Sequence, residues 1–232
     1  MNVTEKLNAT DKLLALDDTK TIISHTVRFG PTSKDSQFSH SDCQNIEDPT
    51  GIAIEEGELL YGLVRTVKPL AVLETGTNIG VSASYIAIAL RENGDGHLIT
   101  IEKDGTVARK AQEKFDVMGL SETITVINSG TQEFFASMPA NQTFDFLWLD
   151  TELKERYNEL VTLFPHVTPG GIICIHDLWC LDHDWYGGVP DAMKAWIRNG
   201  DLRGLTIQTD HGVSVFQKRR TKDYFADLLS SL

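Results

Sequence analysis

The chain has 232 residues, 41% of them hydrophobic, and a formal net charge of −12. That size and composition suit one globular domain with a sheet covered on both faces, and an acidic chain without a basic cluster argues against a nucleic-acid substrate. No apolar run is long enough to span a bilayer, Met1 to Glu5 lack the regions of a signal peptide, and Cys43, Cys174 and Cys180 show no CxxC spacing, so a soluble cytoplasmic protein with reduced thiols is expected.

Residues 1–50 carry little periodicity. Lys6 to Leu16 is weakly helical, and Phe29 to Gly51, rich in Ser, Asp, Gly and Pro and holding Phe38 and His40, reads as a lid, as the arm of a homo-oligomer or as a tail. They are set apart as an N-terminal extension from a domain over 51–232. That domain opens with a helix from Glu55 to Val67, ended by Pro69, which presents Leu59, Leu60, Leu63, Val64 and Val67 to a sheet.

Val72 to Gly80 reads as a buried strand ending at the acid Glu74, a turn through Gly76 and Gly80, and the start of a helix with an apolar stripe at Ile79, Ala83, Ile86, Ala87 and Leu90. Backbone N–H groups at such a corner are expected to face a ligand, with Gly76 and Gly80 allowing close approach. The next strand, Leu98 to Ile101, ends at Glu102, at the distance where a second-strand carboxylate takes the two hydroxyls of a ribose. Loop and acid together point to an adenosine. A pyrophosphate is disfavoured, because Glu74 precedes the loop and Asn78 stands where a dinucleotide fingerprint needs its second glycine.

Strands and helices then alternate, which predicts a parallel sheet with crossover helices. A helix with Val107, Ala111, Phe115 and Met118 on one face stops at Gly119, and a third strand, Ile124 to Ile127, runs into Asn128-Ser129-Gly130. The fourth, Phe144 to Leu149, ends at Asp150 and is followed by a helix expected to bury Leu153, Tyr157, Leu160, Val161 and Phe164. Pro169-Gly170-Gly171 turns into a fifth strand, Ile172 to Ile175, ending at His176-Asp177. Trp179, His183, Trp185 and Tyr186 follow, as a wall for an acceptor or as packing for a helix that begins at Pro190 and buries Met193, Trp196 and Ile197. Leu205 to Gln208 and Val213 to Phe216 flank a short turn and form a hairpin. Glu74, Glu102, Asn128, Asp150 and Asp177 should converge outside the carboxyl ends of the strands.

Motif and element order together resemble the class I S-adenosylmethionine-dependent methyltransferases, over roughly residues 50–217. The resemblance implies a doubly wound, Rossmann-like α/β fold with a mostly parallel seven-stranded sheet and a C-terminal antiparallel hairpin. It implies S-adenosylmethionine as cofactor, with Glu74, Gly76, Thr77, Asn78, Gly80, Ser82, Glu102, Gly130, Thr131 and Asp150 as the binding set. Within that superfamily the chain looks most like small-molecule O-methyltransferases of the caffeoyl-CoA or catechol type and of the antibiotic-sugar type, which implies a small-molecule acceptor.

Those enzymes commonly hold a divalent metal with acids at the fourth and fifth strand ends, matched here by Asp150 and Asp177, with His176 and Glu152 completing a set suited to Mg²⁺. Three departures are visible: Leu178 stands where the catechol pattern has Asn, Lys154 lies one residue late, and His176 replaces the first of two adjacent acids of the sugar pattern. A metal-free route therefore stands beside the Mg²⁺ route, with His176 as general base and Asp150 beside it in the catalytic set. An NAD-linked oxidoreductase, disfavoured by Glu74 and the hairpin, and a non-catalytic binding protein on the same fold are the alternatives.

Overall fold

A computed structural model describes residues 51–178, 188–209 and 211–219. Seven strands form one sheet in the order β3-β2-β1-β4-β5-β7-β6. These are β1 (Ala71–Thr75), β2 (His97–Glu102), β3 (Ile124–Asn128), β4 (Phe144–Leu149), β5 (Val167–His176), β6 (Leu202–Ile207) and β7 (Val213–Lys218). β1 to β5 run parallel, while β7 is antiparallel to both β5 and β6, so the hairpin closes the sheet as the resemblance implied.

The helices are α1 (Ile54–Val67), α2 (Val81–Asn93), α3 (Gly105–Val117), α4 (Thr131–Ser137), α5 (Leu153–Leu163) and α6 (Val189–Asn199). Two apolar cores cover the two faces. One joins Leu60 and Val64 of α1 to Ile86 and Leu90 of α2, Phe115 of α3 and Trp148 of β4. The other joins Leu73, Leu147, Ile173 and Phe216 of the sheet to Leu160, Leu163, Val189 and Met193. Because both faces are covered, the central strands are apolar on both sides rather than alternating. No helix among the described residues is long and apolar enough to cross a membrane.

Three local expectations need correction. Helix α2 has no polar face: Val81 to Leu90 are all buried, because α1 packs over it so closely that a Cβ on Gly57 would lie 2.3 Å from the Tyr85 ring. Pro169-Gly170-Gly171 lies inside β5, whose pairing with β4 starts at Val167, shifts register and resumes at Ile172. Ile197 of α6 is exposed, while Trp196 stacks on Phe164 with ring centroids 3.9 Å apart. The readings placed on residues 1–50, including Phe38, His40 and Cys43, and on Trp179, Cys180, His183, Trp185 and Tyr186 lie outside the described residues.

Candidate functional site

The carboxyl ends of β1 to β4 open onto a cavity of about 620 Å³, lined among others by Gly76, Asn78, Glu102, Gly130, Thr131 and Asp150. Its charge is one-sided. Glu102, Glu133, Asp150, Glu152, Glu155 and Glu159 line it against a single cation, Lys103. Thr77, Ser82 and Asn78 line a smaller recess beside Gly76 and Asp150, so most of the expected binding set shares one end of the sheet.

Backbone amides in the Gly76 loop are committed to protein acceptors. The N–H groups of Gly76 and Thr77 both donate to the Ile101 carbonyl (3.0 and 3.1 Å), and Gly80 N–H donates to Thr77 O. Asn78 N–H donates to Glu102 Oε2 at 2.9 Å, while Asp104 N–H takes Glu102 Oε1 at 2.9 Å. The expectation that these amides face a ligand is therefore revised: they tie β1 to β2 and aim Glu102. The glycines have a similar internal reason. A Cβ on Gly76, at φ +87°, would sit 2.3 Å from the Asp150 carbonyl oxygen, and one on Gly80, at φ +78°, would sit 2.4 Å from the Phe115 ring.

Glu74 is fully buried under this loop, bonded by Ser82 Oγ and by Thr100 Oγ1 (2.5 Å). Burial is the main cause that pushes its carboxyl up to about 8, against the lowering effect of the two hydroxyls. It braces the loop from below. Glu159 of α5 is also buried, and burial raises its pKa although Thr75 and Thr151 donate to its Oε2 at 2.9 and 2.8 Å.

At the ends of β4 and β5 the polar groups form a closed ionic network. Asp177 sits in the left-handed region at φ +53°, a strained conformation for a residue with a side chain. Arg156, on α5, reaches all the neighbouring acceptors: Nε donates to Thr151 O at 2.8 Å, Nη1 to the His176 carbonyl, and Nη2 to Asp150 Oδ1 at 3.2 Å and Asp177 Oδ2 at 3.0 Å. Its side chain is only 4% exposed.

His176 lies between two acids. Nδ1 meets Asp150 Oδ1 at 2.9 Å and Nε2 meets Glu56 Oε2 at 3.0 Å. Burial opposes a charged ring, but the bonds to Asp150 and Glu56 and the nearby charges outweigh it and raise the pKa to about 10. For Glu56, burial raises and His176 and Thr209 lower, with a net fall to about 2, so both partners agree on an ion pair. Glu56 also accepts from Ala53 N (2.8 Å), Thr209 Oγ1 (2.5 Å), His211 N (3.2 Å) and His211 Nδ1 (3.2 Å), which pins the β6–β7 turn to α1.

The arrangement divides the expected metal set, with Asp150, His176 and Asp177 together and Glu152 bonded to lysines. Both ring nitrogens of His176 are engaged by carboxylates, so as a general base or a ligand it would first have to give up the bond to Asp150 or to Glu56. Glu152 is absent from that grouping, its half-exposed carboxylate held at the cavity rim by Lys103 (2.5 Å) and Lys154 (2.7 Å). Asp150 and Asp177 do come together, but around a guanidinium. Asp150, His176 and Asp177 bring one donor atom each within 4.8 Å of one another, a grouping that could hold a metal ion, and Arg156 is bonded to both acids of it.

Residues 73–178 match a family model described as a methyltransferase domain. Over those residues, slightly under half of the chain, the sequence is similar to methyltransferase domains. The chain is 30% identical over 120 residues to a protein of Mycobacterium sp. strain JLS provisionally named an O-methyltransferase, covering 52% of this chain and 54% of that one. It is 26% identical over 186 residues to catechol O-methyltransferase B of Danio rerio, covering 78% and 66%. The chain thus spans about half the length of the first curated relatives it matches. In fold it resembles the O-methyltransferase from Bacillus cereus in complex with S-adenosylhomocysteine, with a TM-score of 0.65 at 16% identity over 74% of this chain and 84% of that one.

The sequence reading missed Arg156, Glu56 and Glu159. The signal lay in helical spacing. On α5 the buried set is Arg156, Glu159, Leu160 and Leu163, an i, i+3, i+4, i+7 face, whereas Tyr157 and Val161 are exposed. An apolar-only count rotates that face by about one residue, ~100° on a helix of ~3.6 residues per turn.

Proposed function

We propose that this chain moves the methyl group of S-adenosylmethionine to a hydroxyl oxygen of a small molecule. The observation that carries the reading is the pairing of an acidic cavity with a loop whose amides are already spent. A dinucleotide brings a pyrophosphate that needs free amides and would face Glu102, Asp150 and their neighbours. A cofactor with a sulfonium and an ammonium group suits the same lining. The Bacillus cereus neighbour, solved with S-adenosylhomocysteine, supports this choice.

Bound S-adenosylmethionine supplies an electrophilic methyl on a good leaving group, so the chain's contribution is largely positioning. Glu102, oriented by the Asn78 and Asp104 amides, offers its remaining lone pairs to ribose hydroxyls. Asp150 presents a carboxylate at the cavity wall. Asp177, 39% exposed beside it, is the acid open to an acceptor. Held by Glu102 and Asp150, the cofactor would supply the methyl group to an acceptor hydroxyl, whose proton would pass to Asp177 or to water.

Calorimetry with S-adenosylhomocysteine, NAD and NADP tests the cofactor, and turnover on a panel of hydroxyl acceptors tests the reaction. Saturable binding of S-adenosylhomocysteine alone is expected. Binding of NAD in its place would sink the reading.

A further inference from the structure

We propose that Arg156 takes the place of a divalent cation between Asp150 and Asp177, so that the transfer proceeds without a metal. The inference rests on the methyltransferase reading above and adds the cation that its site uses. Two carboxylates whose oxygens lie 3.2 and 3.0 Å from one nitrogen are bridged as a metal would bridge them. The bridge is built in. Nε and Nη1 of the same side chain are fixed by the carbonyls of Thr151 and His176, so the guanidinium clasps the ends of β4 and β5 and cannot swing aside without losing every partner.

A metal entering here would displace a side chain that is 4% exposed and leave its charge buried without acceptors. Its third candidate ligand, His176, lies within 4.8 Å of the two acids but is already engaged. Both ring nitrogens of His176 are bonded to carboxylates, and Glu152 is engaged by two lysines on the surface. Two acids without the guanidinium would repel each other, and this is the charge problem that a Mg²⁺ ion solves elsewhere. Here a guanidinium, which cannot be deprotonated in a protein, solves it at every pH.

A consequence follows for the acceptor. A divalent metal favours substrates that offer two adjacent oxygens, since both enter its coordination sphere. Without one, a vicinal diol or catechol gains no advantage from chelation, and an isolated hydroxyl is an equally suitable acceptor.

The test uses the full chain loaded with S-adenosylhomocysteine and titrated with Mn²⁺, read by the paramagnetic resonance signal of the free ion. Wild type should take up no Mn²⁺ at the paired acids, and turnover should be the same in EDTA as in Mg²⁺. Arg156→Met should gain a site: Mn²⁺ should raise its melting temperature while leaving that of wild type unchanged, a readout that works even if the variant is poorly folded without the ion. One Mn²⁺ per chain bound by wild type and lost in Asp177→Asn would overturn the proposal. Uptake that survives Asp177→Asn lies elsewhere on this acidic chain and leaves the assignment supported. Absence of S-adenosylhomocysteine binding would defeat the methyltransferase reading instead, and the Mn²⁺ result on the unliganded chain would still stand.

Discussion

The two ends of the crevice are built on opposite terms. At β1 to β4 the strands end in an open cavity whose lining acids outnumber its lining cations among the described residues, and the Gly76 loop is stitched to β2, with Glu102 at the cavity wall. At β4 and β5 the acids are already neutralised from within, by Arg156 on one side and His176 on the other. An unbalanced acidic cavity is a demand for a cationic ligand. A balanced network is a scaffold, and it holds one acid, Asp177, in a strained backbone at the edge of the site.

The largest break in that contrast should come from Arg156→Met. Removing the guanidinium from this buried ionic cluster leaves His176 as the cation beside Asp150 and Asp177, with an expected loss of about 3–5 kcal/mol of stability by chemical denaturation. A loss within the error of the measurement would mean that the clasp is not structural. At the open end, Glu102→Ala should act on the ligand and not on the fold. It should weaken S-adenosylhomocysteine by ~1.5–3 kcal/mol in calorimetry with little change in melting temperature, and unchanged affinity would remove Glu102 from the ribose.

Gly76→Val sharpens the comparison, because it lies in the ligand loop yet is constrained by protein. Its positive φ and the 2.3 Å approach to the Asp150 carbonyl predict a fall in stability of about 1–3 kcal/mol from backbone strain alone, along with lost cofactor binding. Full thermal stability in the variant would show that the loop can yield.

The Glu56–His176 pair gives the closed end a pH signature. His176 contributes fully below its unfolded value of 6.5 and loses that contribution as pH rises through about 10. Glu56 contributes fully above its unfolded value of 4.5 and loses it as pH falls toward about 2. The pair should therefore stabilise most between pH 4.5 and 6.5, and Glu56→Gln should lower the melting temperature most in that window. A variant curve parallel to wild type from pH 4 to pH 10 would contradict the pairing. The smallest effect on stability belongs to Glu152→Ala, whose half-exposed carboxylate is paired with two exposed lysines: melting temperature should match wild type, and a clear fall would show that these surface pairs hold the fold.

Much of the fold was legible because its cues are local. The strand ends at Glu102, Asn128 and Asp150, the turn at Gly76 and the hairpin around Thr209 to Gly212 all follow from apolar runs stopped by polar or glycine residues. The cavity at the carboxyl edge of the sheet lies at those ends. The burial of Tyr157 and Val161 did not hold, because a helix carrying a buried arginine and a buried glutamate turns a face that apolar counting assigns to solvent.

By itself, the sequence determined the order of elements, the sheet end that carries the polar residues, and the membership of Asp150 and Asp177 in one cluster. Only the tertiary structure decided what those acids pair with. Glu56 and His176 are 120 residues apart, and Arg156 and Asp177 are 21 apart. Whether an acid meets a metal, a histidine or an arginine depends on which side chains of other elements reach it first, and hydrophobic periodicity records which face is buried but not what a buried charge has found.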